Sequence, residues 1–199
     1  MVRLDHQAFF NPWIEEAFGK DHVIVVKQAK GAQPISRWYK EWTSPLEDTP
    51  GVRGDLYDTL MTEVYANIRD QSIKTVTFIW MQGERDARLK RGDGYEESLI
   101  GLYHQLSEDL TRSDVNFIIG RLSDFDLADQ KYPHWNLVRA AQVKAGESDP
   151  RFAWVNTDDL NDGLNAQGME IENDLHLSVT GYEELGKRFA EKAIQLVLE

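Results

Sequence analysis

The chain has 199 residues, with 22 lysines and arginines against 34 aspartates and glutamates, a formal charge of −12 with its five histidines neutral. That balance repels phosphate backbones and anionic lipid surfaces, and the largest basic cluster is the pair Lys187-Arg188, so nucleic acid and membrane are poor partners. Cysteine is absent, which removes disulfides, thiolate nucleophiles and Cys-ligated metal sites and leaves the redox compartment open.

At 41% hydrophobic with six tryptophans, 199 residues suffice for one domain with a full core. Met1 to Phe10 carries charges at Arg3 and Asp5 and lacks the apolar core of a signal peptide. Val23–Val26 and Phe78–Met81, the longest apolar runs, fall far short of the ~20 residues of a membrane span. As written the chain reads as unexported, although a preceding segment could carry an export signal, so localisation stays undetermined.

In chain order, Phe9 to Phe18 reads as a helix and Val23–Val26 as a first strand. Ser44 to Gly54, with Pro45, Pro50 and Gly51, reads as a loop. Leu56, Leu60, Met61, Val64, Tyr65 and Ile68 form a helical stripe, followed by a second strand at Val76–Met81 and a loop from Arg85 to Gly94. A second stripe (Leu99, Ile100, Tyr103, Leu106, Leu110) precedes a third strand at Val115–Gly120. Trp135 to Glu147 is a weaker helix, Phe152–Val155 a fourth strand, and Asp158 to Asn173 a long loop. The last stripe (Leu185, Phe189, Ala193, Leu196, Val197) follows Thr180 and Glu183, spaced as a capping box. Short, nearly continuous apolar strands suit burial on both faces, so the pattern predicts an α/β fold with a parallel sheet between helices, one domain over residues 1–199.

Ligand sites of such sheets lie beyond the carboxyl ends of the strands. His176, just before the last helix, is suited to a general base, with Asn173 or Asp174 to orient its ring; packing or capping at the helix start explains it as well. The other four histidines read as surface or packing residues. Gln82-Gly83-Glu84 follows a buried strand, and an amide with two N–H donors beside a glycine suits a developing oxyanion, unless the segment is only a solvated turn. Gly31 offers a backbone donor, or is a plain turn glycine. Asp158, Asp159 and Asp162 lack calcium-loop spacing, the histidines are not paired at metal spacing, and no phosphate-binding glycine fingerprint occurs, so neither metal nor cofactor is expected.

Phe78-Ile79-Trp80-Met81-Gln82-Gly83-Glu84-Arg85-Asp86 and the block from Asp174 through Leu175-His176-Leu177-Ser178-Val179-Thr180-Gly181-Tyr182 to Gly186 resemble the SGNH hydrolase superfamily, closest to its acetylxylan esterase and sialate O-acetylesterase-like branch. The resemblance runs from about Val23 to the C-terminus. It implies a flavodoxin-like three-layer α/β/α sandwich that hydrolyses acetyl esters on sugars through a Ser-His-acid triad. In that comparison His176 is the base, Gln82 a side-chain oxyanion donor, Gly31 a backbone donor, and Glu84 braces the site beside Gly83.

Two departures follow. The family's nucleophile sits in a Gly-Gln-Ser-Asn or Gly-Asp-Ser turn after a first, central strand, and neither Ser36 nor Ser123 stands in such a turn. The usual Asp-x-x-His places Asn173 where an acid is expected, with Asp174 one position nearer. The domain is therefore expected to be N-terminally incomplete, lacking the central strand and inactive alone, its partner an acetylated carbohydrate or small ester. The alternatives are a catalytically dead sugar-binding module stacking sugars on Trp38, Trp42 or Trp80, and an interaction domain, including a homo-oligomer, formed through an exposed sheet edge.

Overall fold

The layers are set by alternation along three parallel strands, β1 (Val76–Trp80), β2 (Val115–Gly120) and β3 (Phe152–Val155), paired in the order β1-β2-β3. In the computed structural model, which describes residues 6–43 and 52–199, Val115, Phe117 and Ile119 enter one core and Ile118 the other. Phe78 and Trp80 of β1 join the first core, as does Phe152 of β3, while Ile79 and Val155 face the second. Period-two alternation thus gives the sheet two buried faces.

The first core is closed by α2 (Asp55–Ile68), α4 (Tyr95–Asp109) and α5 (Trp135–Gly146), the second by α1 (His6–Phe18) and α6 (Val179–Leu198). The result is the expected α/β fold, helices on both faces of a parallel sheet. No helix among the described residues is long and apolar enough to cross a membrane.

Several local expectations are corrected. Val23–Val26 forms no ladder among the described residues, although Val23 and Val25 pack against the second core and Val26 against the first, as a strand's side chains would. Its apolar pattern is satisfied by packing, without a paired strand among the described residues. β1, which among the described residues has a strand on one side only, is half-buried from Val76 to Ile79, whereas β2 is buried throughout, and β1 ends at Trp80, short of Met81. The loop at Arg85–Gly94 begins inside a short helix, α3 (Glu84–Arg88), and the loop from Asp158 contains a two-stranded hairpin, β4 (Gly163–Leu164) and β5 (Glu170–Ile171). Residues 44–51 of the expected Ser44–Gly54 loop lie outside the described residues.

The last helix starts one residue before Thr180. Ser178 is its cap, its Oγ accepting from Gly181 N–H at 3.0 Å, so the Thr180–Glu183 box is not the start signal. Trp38, Trp42 and Trp80 are 6%, 3% and 4% exposed, and Trp38 meets Trp80 edge-on. They are core residues with no face for a sugar, which removes the basis for the stacking module.

Candidate active site

The carboxyl ends of the three strands are tied together by side chains. Leu122, after β2, donates its N–H to Gln142 Oε1 at 2.8 Å, and Gln142 Nε2 donates to the Gln82 carbonyl after β1, also at 2.8 Å. Thr157, after β3, donates its hydroxyl to the Arg121 carbonyl at 2.6 Å. Gly83 turns the chain between β1 and α3 at φ 153°, and a Cβ there would stand 2.7 Å from Val138 Cγ1, so the turn admits only glycine without rearrangement. Its N–H is taken by Glu84 Oε2 at 3.0 Å.

Gln82 is fully engaged. Its Nε2 donates to Asp86 Oδ2 at 2.6 Å and to the Gln33 carbonyl at 3.0 Å, and its Oε1 lies 2.9 Å from Tyr95 Oη. Two amide protons meet two acceptors, leaving none for a substrate while both bonds stand. The same Asp86 oxygen accepts from Ile35 N–H at 2.9 Å, so one carboxylate pins both the end of β1 and the segment following Gly31. Asp86 is wholly buried and its Oδ1 has no hydrogen-bond partner among the described residues. Desolvation pushes its carboxyl up to about 6, against the lowering effects of the Gln82 and Ile35 bonds and the nearby Arg91. Burial likewise drives the Tyr95 hydroxyl well above its ordinary range.

Gly31 is exposed, its carbonyl accepting from Gln33 Nε2 at 3.1 Å, and open space stands where a Cβ would project. Steric need does not explain this glycine.

In the segment before α6, His176 Nδ1 lies 3.4 Å from Asp174 Oδ1, and the same oxygen accepts the His176 backbone N–H at 2.8 Å. Asn173, at φ 46°, is held elsewhere: its N–H donates to Asp162 Oδ1 at 2.6 Å and its Oδ1 accepts from Asn161 at 3.4 Å. Asp174, not Asn173, therefore stands by the imidazole. The ring is exposed, its side chain 76% accessible. Buried Asn161 also donates to the Asp174 carbonyl at 3.1 Å and reaches Ser123 Oγ at 3.5 Å, connecting this loop to the end of β2. Among the described residues no hydrogen bond joins His176 directly to Gln82 or Gly31, and no serine hydroxyl bonds its ring; Ser36 and Ser123 are both buried. The described residues hold no group of three or more histidine, aspartate or glutamate side chains fit for a metal ion.

Residues 3–195 match the family described as SASA, the carbohydrate esterase, sialic acid-specific acetylesterase family. The chain belongs to it. Among solved structures, a protein from Arabidopsis thaliana aligns with a TM-score of 0.68 at 19% identity, over 94% of this chain and 66% of that one, a likeness of fold. No curated protein matches the chain. For this carbohydrate-esterase family member, sequence reasoning missed Gln33, Asp86, Tyr95 and Gln142, which hold the Gln82 segment. Asp86 had a signal, a carboxylate four residues after Gln82 at the foot of a buried strand. Gln33 and Gln142 had none, because only the fold brings them to Gln82.

Proposed function

We propose that this chain carries the base, its orienting acid and the substrate-facing loops of a carbohydrate O-acetylesterase that works through a Ser-His-acid mechanism, with the serine supplied from outside these 199 residues. The observation that carries this reading is the exposed His176–Asp174 pair beyond the strand ends of a chain belonging to an acetylesterase family. With Nδ1–H directed at Asp174, Nε2 is the basic nitrogen; it takes the proton of the attacking hydroxyl and returns it to the leaving sugar oxygen. Gly31 supplies a backbone N–H to the oxyanion. Gln82, with both amide protons engaged, braces the Gln33 loop and reaches substrate only by releasing the Gln33 carbonyl. Substrates are acetylated sugars or small acetyl esters, as the family implies.

The test is hydrolysis of p-nitrophenyl acetate and of acetylated oligosaccharides. The 199-residue chain should give background rates, and the chain joined at its start to a strand and a Gly-x-Ser turn should turn over. In the joined protein His176→Ala should lower kcat by on the order of 10³-fold or more at unchanged Tm, since the ring is exposed. Turnover by the 199 residues that is lost in a single internal Ser→Ala variant overturns the outside serine. A joined protein that folds and binds acetylated sugar without hydrolysing it overturns the esterase.

A further inference from the structure

The His176 ring is exposed, but the chain on both sides of it is anchored to one buried bend formed by Leu160 and Asn161. Leu160 is seated in the second core, and its N–H donates to the Thr157 carbonyl at 3.2 Å, which ties the bend to the segment after β3. Two residues after His176, Ser178 donates its N–H to the Leu160 carbonyl at 3.0 Å. Two residues before it, Asp174 is gripped by both of its backbone polar groups. Its N–H donates to the Asn161 carbonyl at 3.3 Å, and its carbonyl accepts from Asn161 Nδ2 at 3.1 Å. Asn161 is 1% exposed, and its Nδ2 also lies 3.4 Å from Asn173 Oδ1 and 3.5 Å from Ser123 Oγ.

We propose that Asn161 is the positioning residue of the His176–Asp174 pair, fixing the Asp174 backbone so that its carboxylate meets Nδ1 and Nε2 stays the basic nitrogen; the assignment rests on the esterase reading for its place in a reaction. With that backbone fixed, Asp174 Oδ1 accepts the His176 N–H at 2.8 Å, which sets the rotamer of the carboxylate and leaves the same oxygen 3.4 Å from the ring nitrogen. The need for such a hold follows from exposure. The Asp174 and His176 side chains are 42% and 76% accessible, and two exposed groups meet only by giving up rotamer freedom for an attraction that water screens. Asn161 removes part of that cost beforehand, because its buried amide has no water to turn to and keeps its bond to the Asp174 carbonyl. Burial of Leu160 alone seats the bend without choosing where the Asp174 carboxylate points. Among the described residues no hydrogen bond joins Asn161 to the imidazole, so its effect passes through Asp174.

The experiment reads the tautomer of the neutral His176 ring by nitrogen NMR in the 199-residue chain. The native ring should be mainly the Nδ1–H form, and Asp174→Ala should lose that preference. Asn161→Ala and the similarly sized Asn161→Leu should lose it too, although both keep the carboxylate. Asn161→Ala added to Asp174→Ala should change the tautomer no further, because the two residues act in series. A folded Asn161 variant with the native tautomer overturns the proposal, as does a native ring without the Nδ1–H preference. If neither variant folds, hydrogen exchange of the native chain decides: a protected Asp174 amide supports the clamp and a freely exchanging one overturns it. In the joined protein each Asn161 variant should lower kcat on the order of 10²-fold at unchanged KM, the size expected of a misplacement of about 1 Å. A change in KM alone would put Asn161 in substrate binding and overturn the positioning role. The tautomer needs no turnover, so a failed esterase and a failed clamp give different results: tautomer loss in a joined protein that never hydrolyses acetate retires the reaction and keeps the clamp.

Discussion

Asp86 holds its place at a cost that depends on pH. Its folded carboxyl titrates at about 6 against an ordinary 3.8. The folded state therefore binds the proton more tightly than the unfolded one, and stability falls as pH rises from about 4 to 6 and then levels off. The loss from this one group is up to about 3 kcal/mol, the size implied by such a difference. Asp158 works in the opposite direction: burial pushes its carboxyl up, but Arg139 and Arg121 together hold it below the ordinary range, so its contribution is present above about pH 4 and lost in acid. Asp86→Asn keeps an oxygen for Ile35 and Gln82 and removes the titration. The stability difference between the native chain and Asp86→Asn, from urea unfolding at pH 3.5, 5 and 7, should shift by up to about 3 kcal/mol towards the variant across that range. Parallel pH curves would overturn the raised titration, since they require the Asp86 carboxyl to titrate alike in the folded and unfolded chain.

Among the elements, α6 shows both what local pattern reads and what it misreads. Its apolar stripe was legible because Leu185, Phe189 and Ala193 enter the second core and Leu196 packs against it. Its start was misread because Thr180-x-x-Glu183 satisfies the capping-box pattern, whereas Ser178 caps Gly181, a residue with no side chain to return the bond. Gly181 is required for another reason: a Cβ there would stand 1.9 Å from the Leu160 carbonyl oxygen. Ser178→Ala should therefore cost about 1 kcal/mol, a typical cap. Gly181→Ala should cost more, roughly 2–4 kcal/mol, because a backbone carbonyl has to move. Gly31→Ala, with open space at its Cβ, serves as the near-neutral control in the same thermal melts. A Gly181→Ala variant as stable as the control would mean that the Leu160 turn yields freely.

At the scale of the whole molecule, the α/β architecture was legible because three of the four expected strands have apolar runs that meet a neighbour. Val23–Val26 has the same run and meets none among the described residues, since pairing depends on which strands lie alongside and composition is silent on that. The site divides the same way. His176 with Asp174 is local in sequence and was readable, whereas the Gln33–Gln82–Asp86–Tyr95–Gln142 network is assembled only by packing. The unpaired side of β1 makes this testable. In the 199-residue chain alternate amides of β1, those facing away from β2, should exchange hydrogen much faster than the amides of β2, which is buried throughout. In the protein joined to a preceding strand and Gly-x-Ser turn, those β1 amides should become protected, stability should rise, and hydrolysis should appear with them, because one strand fills the open edge and delivers the hydroxyl. Protection without hydrolysis would place the strand correctly and leave the serine out of reach of His176; hydrolysis without protection would mean that the serine arrives by a route other than the open edge of β1.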